Sequence, residues 1–357
     1  MRRSKSDYSG YRGRRTLSDN LRLTALGLAV VALLVVAGLI FAQRYLVYSD
    51  DGLRLELPFG SSAEENKPLE PGDVSVVIRP AGSQSEGEQP QEPAKEAAMA
   101  AVELPLSAVL NGTAAADLEK AGANALILEM KGTSGKLAWD SGQTLAQRMG
   151  AVAGDAAGNT VLEEWNRGEV YTIARVCCFR DDLMPYQRND MALRATYGNW
   201  RDELGLRWLN PDSQAARQYL ADLCGELARL GFDEILLECA AFPVLGNRET
   251  IVQSGSYVTG EYTAAVRSFL DLVNAQVAAY DTVLSVRLEE GALTGADTVS
   301  GLTPDLLETG ADRLWMVGGE TALLDLLEQA GIQEGERRLV LIGTLTGESD
   351  MPRAQLN

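Results

Sequence analysis

Two neighbouring stretches decide the fold: Trp208-Leu-Asn-Pro211 and, after a helix-length interval, Gly231-Phe-Asp-Glu-Ile-Leu-Leu-Glu-Cys-Ala-Ala-Phe-Pro243. Asn210 suits a helix N-cap and Pro211 the first helical position. Between residues 213 and 230, Ala216, Leu220, Leu223, Leu227 and Leu230 fall on one apolar stripe at helical spacing. Gly231 then stops the helix, and residues 235–240 read as a buried strand, apolar except for Glu238. A carboxylate in such a run needs a partner, because burying one alone costs about 3 kcal/mol or more.

Working outward, the same texture repeats from about residue 100. Strands are expected at 103–110, 125–131, 171–178, 234–240, 283–289, 313–317 and 337–343. Helices are expected at 113–121, 143–167 (broken), 213–230, 258–279, 303–309 and 319–330. Alternation of this kind predicts a parallel sheet with helical crossovers. Seven strands over this length point to a (β/α)8-type TIM barrel. An eighth strand is not obvious. A doubly wound open sheet is the rival, but no Gly-rich phosphate loop follows the first strand.

In a barrel strand, alternate residues face inward, and those near the C-terminal end line the mouth of the site. By that parity Glu238 shares a face with Glu234 and Leu236, Glu129 with Lys131, and Arg287 with Glu289. Arg175 interrupts an apolar run in the third expected strand, and Arg180 and Asp181 come just after it. Four strands thus place charge near one barrel end. Glu129, Lys131, Arg175, Glu238, Arg287 and Glu289 include three of each sign, which also fits a salt-bridge layer that merely fills the barrel.

These stretches resemble the putative glycosyl hydrolase domain of bacterial membrane-anchored cell-envelope proteins, a (β/α)-barrel family whose usual segment runs GFDEIQFDYIRFP. Seven of those thirteen letters stand at 231–243, with Glu238 in place of the family's Asp and Ala241 in place of its Arg. Glu129-Met-Lys131, followed by Gly135-Lys-Leu-Ala-Trp-Asp-Ser141, is similar to a family stretch with an Asp-x-Lys pair, a Gly-Lys and a Tyr-Asp-Ser. Ile173-Ala-Arg175 and Phe179-Arg-Asp181 resemble its Ile-Ala-Arg and Phe-Lys-Asp, and Trp208-Leu-Asn-Pro211 matches its Trp-Leu-Asn-Pro. The similarity covers roughly 103–345 and is strongest between 124 and 243. Later it thins: Ser285-Val-Arg287 stands for a Ser-x-Asp pattern, and Leu314-Trp-Met-Val-Gly-Gly319 for Met-x-Tyr-Pro-Ser-His-Tyr.

The resemblance implies glycoside hydrolysis, which uses two carboxylates about 5–5.5 Å apart for retention or about 6.5–9.5 Å for inversion. One of them must hold a proton near neutral pH. Glu238, in the most apolar strand, is the expected acid, with Glu129, Asp181 or Glu289 as its partner. The expected catalytic set is therefore Glu238, Glu129 and Asp181, and the expected substrate contacts are Lys131, Arg175, Arg287, Glu289 and Trp208. No metal or cofactor is required. The alternative is a catalytically inactive barrel that binds cell-envelope glycan or a protein partner.

Composition limits the chemistry further. The chain has no histidine, which excludes Ser-His-Asp and Cys-His mechanisms and removes the commonest zinc ligand. Cys177, Cys178, Cys224 and Cys239 lack C-x-x-C spacing and read as free buried thiols, with a Cys178–Cys239 bridge as the other option.

The N-terminal part reads differently. Residues 1–22 carry a net charge of +5 and everything after them −23. Residues 23–42 are uncharged, long enough as a helix to cross about 30 Å of hydrocarbon. The expected order is a basic cytoplasmic tail (1–22), a transmembrane anchor (23–42), a mostly disordered extracytoplasmic linker (43–100) and the barrel (101–350). The expected ligand is polysaccharide or cell-wall glycan; the external negative charge disfavours nucleic acid.

Overall fold

The computed structural model describes residues 98–345 and 350–356, and the backbone of two short segments nearer the N-terminus. The chain divides into two units, Met1–Gly87 and Glu88–Asn357. In the first, Leu46–Ser49 pairs antiparallel with Gly52–Leu55. The basic tail, the apolar run at 23–42 and the acidic linker at 60–96 lie outside the described residues. Among the described residues no helix is long and apolar enough to cross a membrane.

The second unit is a closed barrel of eight parallel strands. We number them β1 (Ala100–Glu103), β2 (Ala125–Lys131), β3 (Tyr171–Cys177), β4 (Glu234–Glu238), β5 (Val283–Arg287), β6 (Arg313–Val317), β7 (Leu339–Ile342) and β8 (Arg353–Gln355). Each strand pairs with the next in sequence, and β8 returns to β1 through Arg353↔Ala100 to Gln355↔Val102. Helices α1 (Ala114–Ala121), α2 (Ala156–Asn166), α3 (Gln214–Arg229), α4 (Thr263–Val277), α5 (Pro304–Gly310) and α6 (Glu320–Gln329) supply the crossovers.

Two expectations are corrected. The first strand ends, rather than begins, at Glu103, because Pro105 cannot extend the ladder and residues Leu106–Leu110 turn into helix. The closing strand was missed because β8 has three residues, of which only Ala354 is buried and apolar. Its backbone still closes the ring: Arg353 N–H donates to Met99 O at 2.8 Å, and Gly343 N–H to Ala354 O at 2.9 Å.

The interior and the outer layer are separate cores. Inside the ring, Ala101, Ile127, Ile173, Leu236, Trp315, Val340 and Ala354 pack together. Outside it, the apolar stripe of α3 packs on the sheet, with Ala216, Leu220, Leu223 and Leu227 fully buried. Ser213, not Asn210, caps α3 by accepting from Ala216 N–H. Asn210 instead accepts from Asp212 N–H and shapes the turn leading into the helix. Gly231, at φ 90°, ends the helix in the left-handed region, as its sequence position suggested.

Near the N-terminal end of the barrel, Glu234 is fully buried but saturated with donors. It accepts from Trp315 Nε1 (2.8 Å), Ser285 Oγ (2.5 Å), Tyr171 OH (3.0 Å) and Arg313 Nη1 (2.7 Å). Burial first, and then the Glu234 charge, push the Tyr171 phenol well up. This polar plug is structural, on the face where barrel residues serve stability.

Candidate functional site at the C-terminal mouth of the barrel

Inward parity brings Glu103, Glu129, Arg175, Glu238 and Arg287 to the C-terminal ends of five consecutive strands. Arg175 is their hub. Its Nη2 contacts Glu103 Oε1 and Glu129 Oε2, each at 2.6 Å, and its Nη1 contacts Glu238 Oε2 at 2.8 Å. The other Glu238 oxygen, Oε1, accepts from Arg287 Nη1 at 2.6 Å. Burial works against the Arg175 charge, but the carboxylates of Glu238, Glu103 and Glu129 outweigh it and raise its pKa.

Both oxygens of Glu238 are therefore occupied by guanidinium donors. A guanidinium donor on each oxygen is the charge-assisted pairing that a carboxylate accepts. Glu129 and Glu238 share one guanidinium, which keeps them inside the separation of up to about 9.5 Å that two-carboxylate hydrolysis allows.

Lys131 does not join this set. The β2–β3 register shifts between Glu129 and Lys131, so Glu129 pairs with Arg175 but Lys131 pairs with Val176. That bulge transfers Lys131 from the barrel face to the layer under α3. There its Nζ is 2.9 Å from Asp181 Oδ2, with both side chains at 0% exposure. It also donates to Cys177 O at 2.6 Å and Cys178 O at 3.3 Å. Burial pulls the Lys131 ammonium down, and Asp181, together with Cys177 and Cys178, outweighs it, so its pKa is raised. Asp181 Oδ1 accepts from the backbone N–H groups of Leu183 and Met184, which holds the start of the loop after β3. The expectation that Lys131 and Asp181 meet substrate is replaced by a buried pair that positions this loop.

A cavity of about 400 Å³ opens beside the network. Its lining includes Glu238, Arg287, Glu289, Arg180, Glu203 and Trp208. The run from Ala240 to Leu245, apolar throughout, lines it as well. Ala241, where the resembled family has Arg, is part of that run. Glu289 is exposed. Trp208 is only 7% exposed and spends its indole N–H on Asp202, whose second partner is Arg180 Nε. Trp139 and Trp200 are fully buried packing residues.

Sequence reading misses Glu103 because a strand starting at 103 puts this residue at the wrong end of the barrel, whereas the strand ends there. Its position at a strand end, like Glu238 and Arg287, was the available signal. It also misses Glu203 and Cys239, which segments with no periodicity bring to the cleft, and the thiol of Cys177 at the inward end of β3. All four cysteines are free. The other option, a Cys178–Cys239 bridge, is overturned: the pleat turns Cys178 outward, where its Sγ donates to Val176 O, and Cys239 lies against Cys177 instead. Among the described residues no group of three or more acidic, Cys or His side chains could hold a metal ion.

No curated protein matches the chain. A crystal structure of a hypothetical protein from Ruminiclostridium thermocellum is 22% identical, covering 52% of this chain and 96% of its own, with a TM-score of 0.45. The glycoside hydrolase domain of PgaB (BpsB) from Bordetella bronchiseptica is 13% identical over 69% of this chain and 84% of its own, with a TM-score of 0.48. A GH20 exo-β-N-acetylglucosaminidase from Vibrio harveyi is 10% identical over 69% of this chain and 41% of its own, with a TM-score of 0.48. The model of the putative glycosyl hydrolase domain matches residues 113–292, half of the chain and the part that carries β2 to β5, and the chain belongs to that family.

Proposed function

We propose that this barrel binds a cell-envelope polysaccharide in the cleft beside Glu238 without hydrolysing it by the usual two-carboxylate route. One observation carries the proposal: the carboxylates at the ends of β1, β2 and β4, Glu103, Glu129 and Glu238, all accept from Arg175, and Glu238 also from Arg287. A general acid needs a carboxyl group shielded from cations so that it keeps its proton. In the resembled family the segment carries Asp and Arg where this chain has Glu238 and Ala241; the longer acid and the lost guanidinium change the reacting geometry together. What remains is a cleft with an apolar wall, polar edges and the size of a small-ligand site.

A second reading is favoured by Glu289, which lines the same cavity and is exposed there. In it, Glu238 serves as the ionised nucleophile or base and Glu289 as the proton donor, a retained hydrolase with exchanged roles. In both readings residues 23–42 anchor the chain in the cell membrane with the basic tail inside, and the barrel works outside.

The test incubates full-length protein with a panel of cell-wall polysaccharides and measures both retention and new reducing ends, with Glu238→Gln and Glu289→Gln alongside. Binding without new reducing ends supports the proposal. Release that disappears in both variants establishes the second reading and rejects the first.

A further inference from the structure

The cleft wall holds a pair of nucleophilic side chains that glycan binding does not use. Cys177 ends β3 and Cys239 follows β4, and both line the cavity. Strand pairing sets Cys177 opposite Glu238, so Cys239 stands one residue beyond. The ladder continues past the strand ends, with Cys178 N–H donating to Glu238 O at 2.7 Å and Phe179 N–H to Cys239 O at 3.0 Å. With strands about 4.8 Å apart and a rise of about 3.3 Å, the diagonal between the two Cα atoms is about 5.8 Å. A disulfide spans Cα separations of about 4.4–6.8 Å.

Side-chain direction agrees with that separation. Cys177 shares inward parity with Arg175. Cys239 has φ 47°, in the left-handed region, so its side chain leaves the strand's alternation. The Cys239 side chain at hydrogen-bonding range, and then burial, push the Cys177 thiol well up. Cys177 is 4% exposed and Cys239 is half-buried, which makes Cys239 the thiol that solvent reagents meet first. The remaining two are elsewhere: Cys178 and Cys224 are buried in the layer outside the ring.

We propose that Cys177 and Cys239 form a dithiol site in the cleft whose substrates are small disulfides. The Cys239 thiolate attacks one sulfur of the reagent, forming a mixed disulfide and releasing one thiolate. Cys177, giving its proton to solvent, then attacks the Cys239 sulfur and releases the second. The two cysteines are oxidised to one intramolecular disulfide, and the small disulfide is reduced to two thiols. The new bond ties the ends of β3 and β4 directly beside Glu238.

The test treats folded full-length protein with oxidised glutathione, alkylates the remaining thiols and maps the products by mass spectrometry. The expected result is a fall from four free thiols to two, with one cross-link joining Cys177 to Cys239. In Cys177→Ala, glutathione is expected to stay on Cys239 as a mixed disulfide that wild type does not accumulate. Retention of all four thiols, persistence of the mixed disulfide in wild type, or a cross-link through Cys178 or Cys224 overturns the proposal. The wild-type measurement decides the matter even where a variant fails to fold.

Discussion

Replacing Lys131 by Met should be among the most damaging single substitutions in the barrel. The side chains fill similar volume, so packing changes little, but Asp181 is left as a fully buried carboxylate without its counter-charge. The carbonyls of Cys177 and Cys178 lose their shared donor in the same step. Breaking a buried pair by removing one partner costs about 3–5 kcal/mol. At about 2–4 °C per kcal/mol for a domain of this size, the melting temperature should fall by about 6–20 °C. The assay is thermal unfolding of the full-length protein by circular dichroism, with Asp181→Asn and the double variant completing a cycle. Asparagine keeps the Oδ1 acceptor for Leu183 and Met184, so the double variant should be less damaged than the sum of the single effects, by about 1–3 kcal/mol. A fall below about 2 °C for Lys131→Met, or strict additivity, refutes the pair as the element that holds the loop. The pH dependence has a definite sign. The Lys131 pKa is raised in the folded state, so its contribution is complete below its ordinary value of 10.5 and is lost as pH rises through the folded value. The stability gap between wild type and Lys131→Met should therefore be flat between roughly pH 6 and 9 and close only in strong alkali.

Deleting residues 351–357 should abolish cooperative unfolding, because it strips β8 from both β7 and β1 and leaves two sheet edges unpaired; a sigmoidal melt in the truncated chain would count against closure by this strand. Tyr171→Phe should cost about 1–3 kcal/mol in denaturant unfolding, since buried Glu234 loses a donor that no water replaces. Gly154→Ala should destabilise by about 1–3 kcal/mol or more, because a Cβ there would meet Trp139 Cα at 2.4 Å and Ala138 O at 2.5 Å, both backbone atoms. A neutral melt for that variant would mean the segment after β2 is free to move.

Much of the site was legible because strand parity carries over from sequence to barrel. Glu129, Arg175, Glu238 and Arg287 meet at one end as alternation required. Parity failed where the backbone broke its own period. The bulge after Glu129 sent Lys131 to the other side of the sheet, and the left-handed turn at Cys239 aimed a thiol into the cleft. Neither break leaves a mark in hydrophobic pattern, since Met130 and Ala240 are buried whichever way their neighbours point.

The sequence by itself determined the alternation of strand and helix, the apolar stripe of α3 and its end at Gly231, and the crowding of charge at strand ends, because these follow from local sterics and the periodicities of two and 3.6 residues that they impose. Only the tertiary structure decided which charges pair. Closure through the three residues of β8 depends on pairing with β1, far away in sequence, and the grip of Arg175 and Arg287 on Glu238 depends on separate strands arriving at one radius. Such contacts are fixed by the geometry of the closed ring, which no local run of residues encodes.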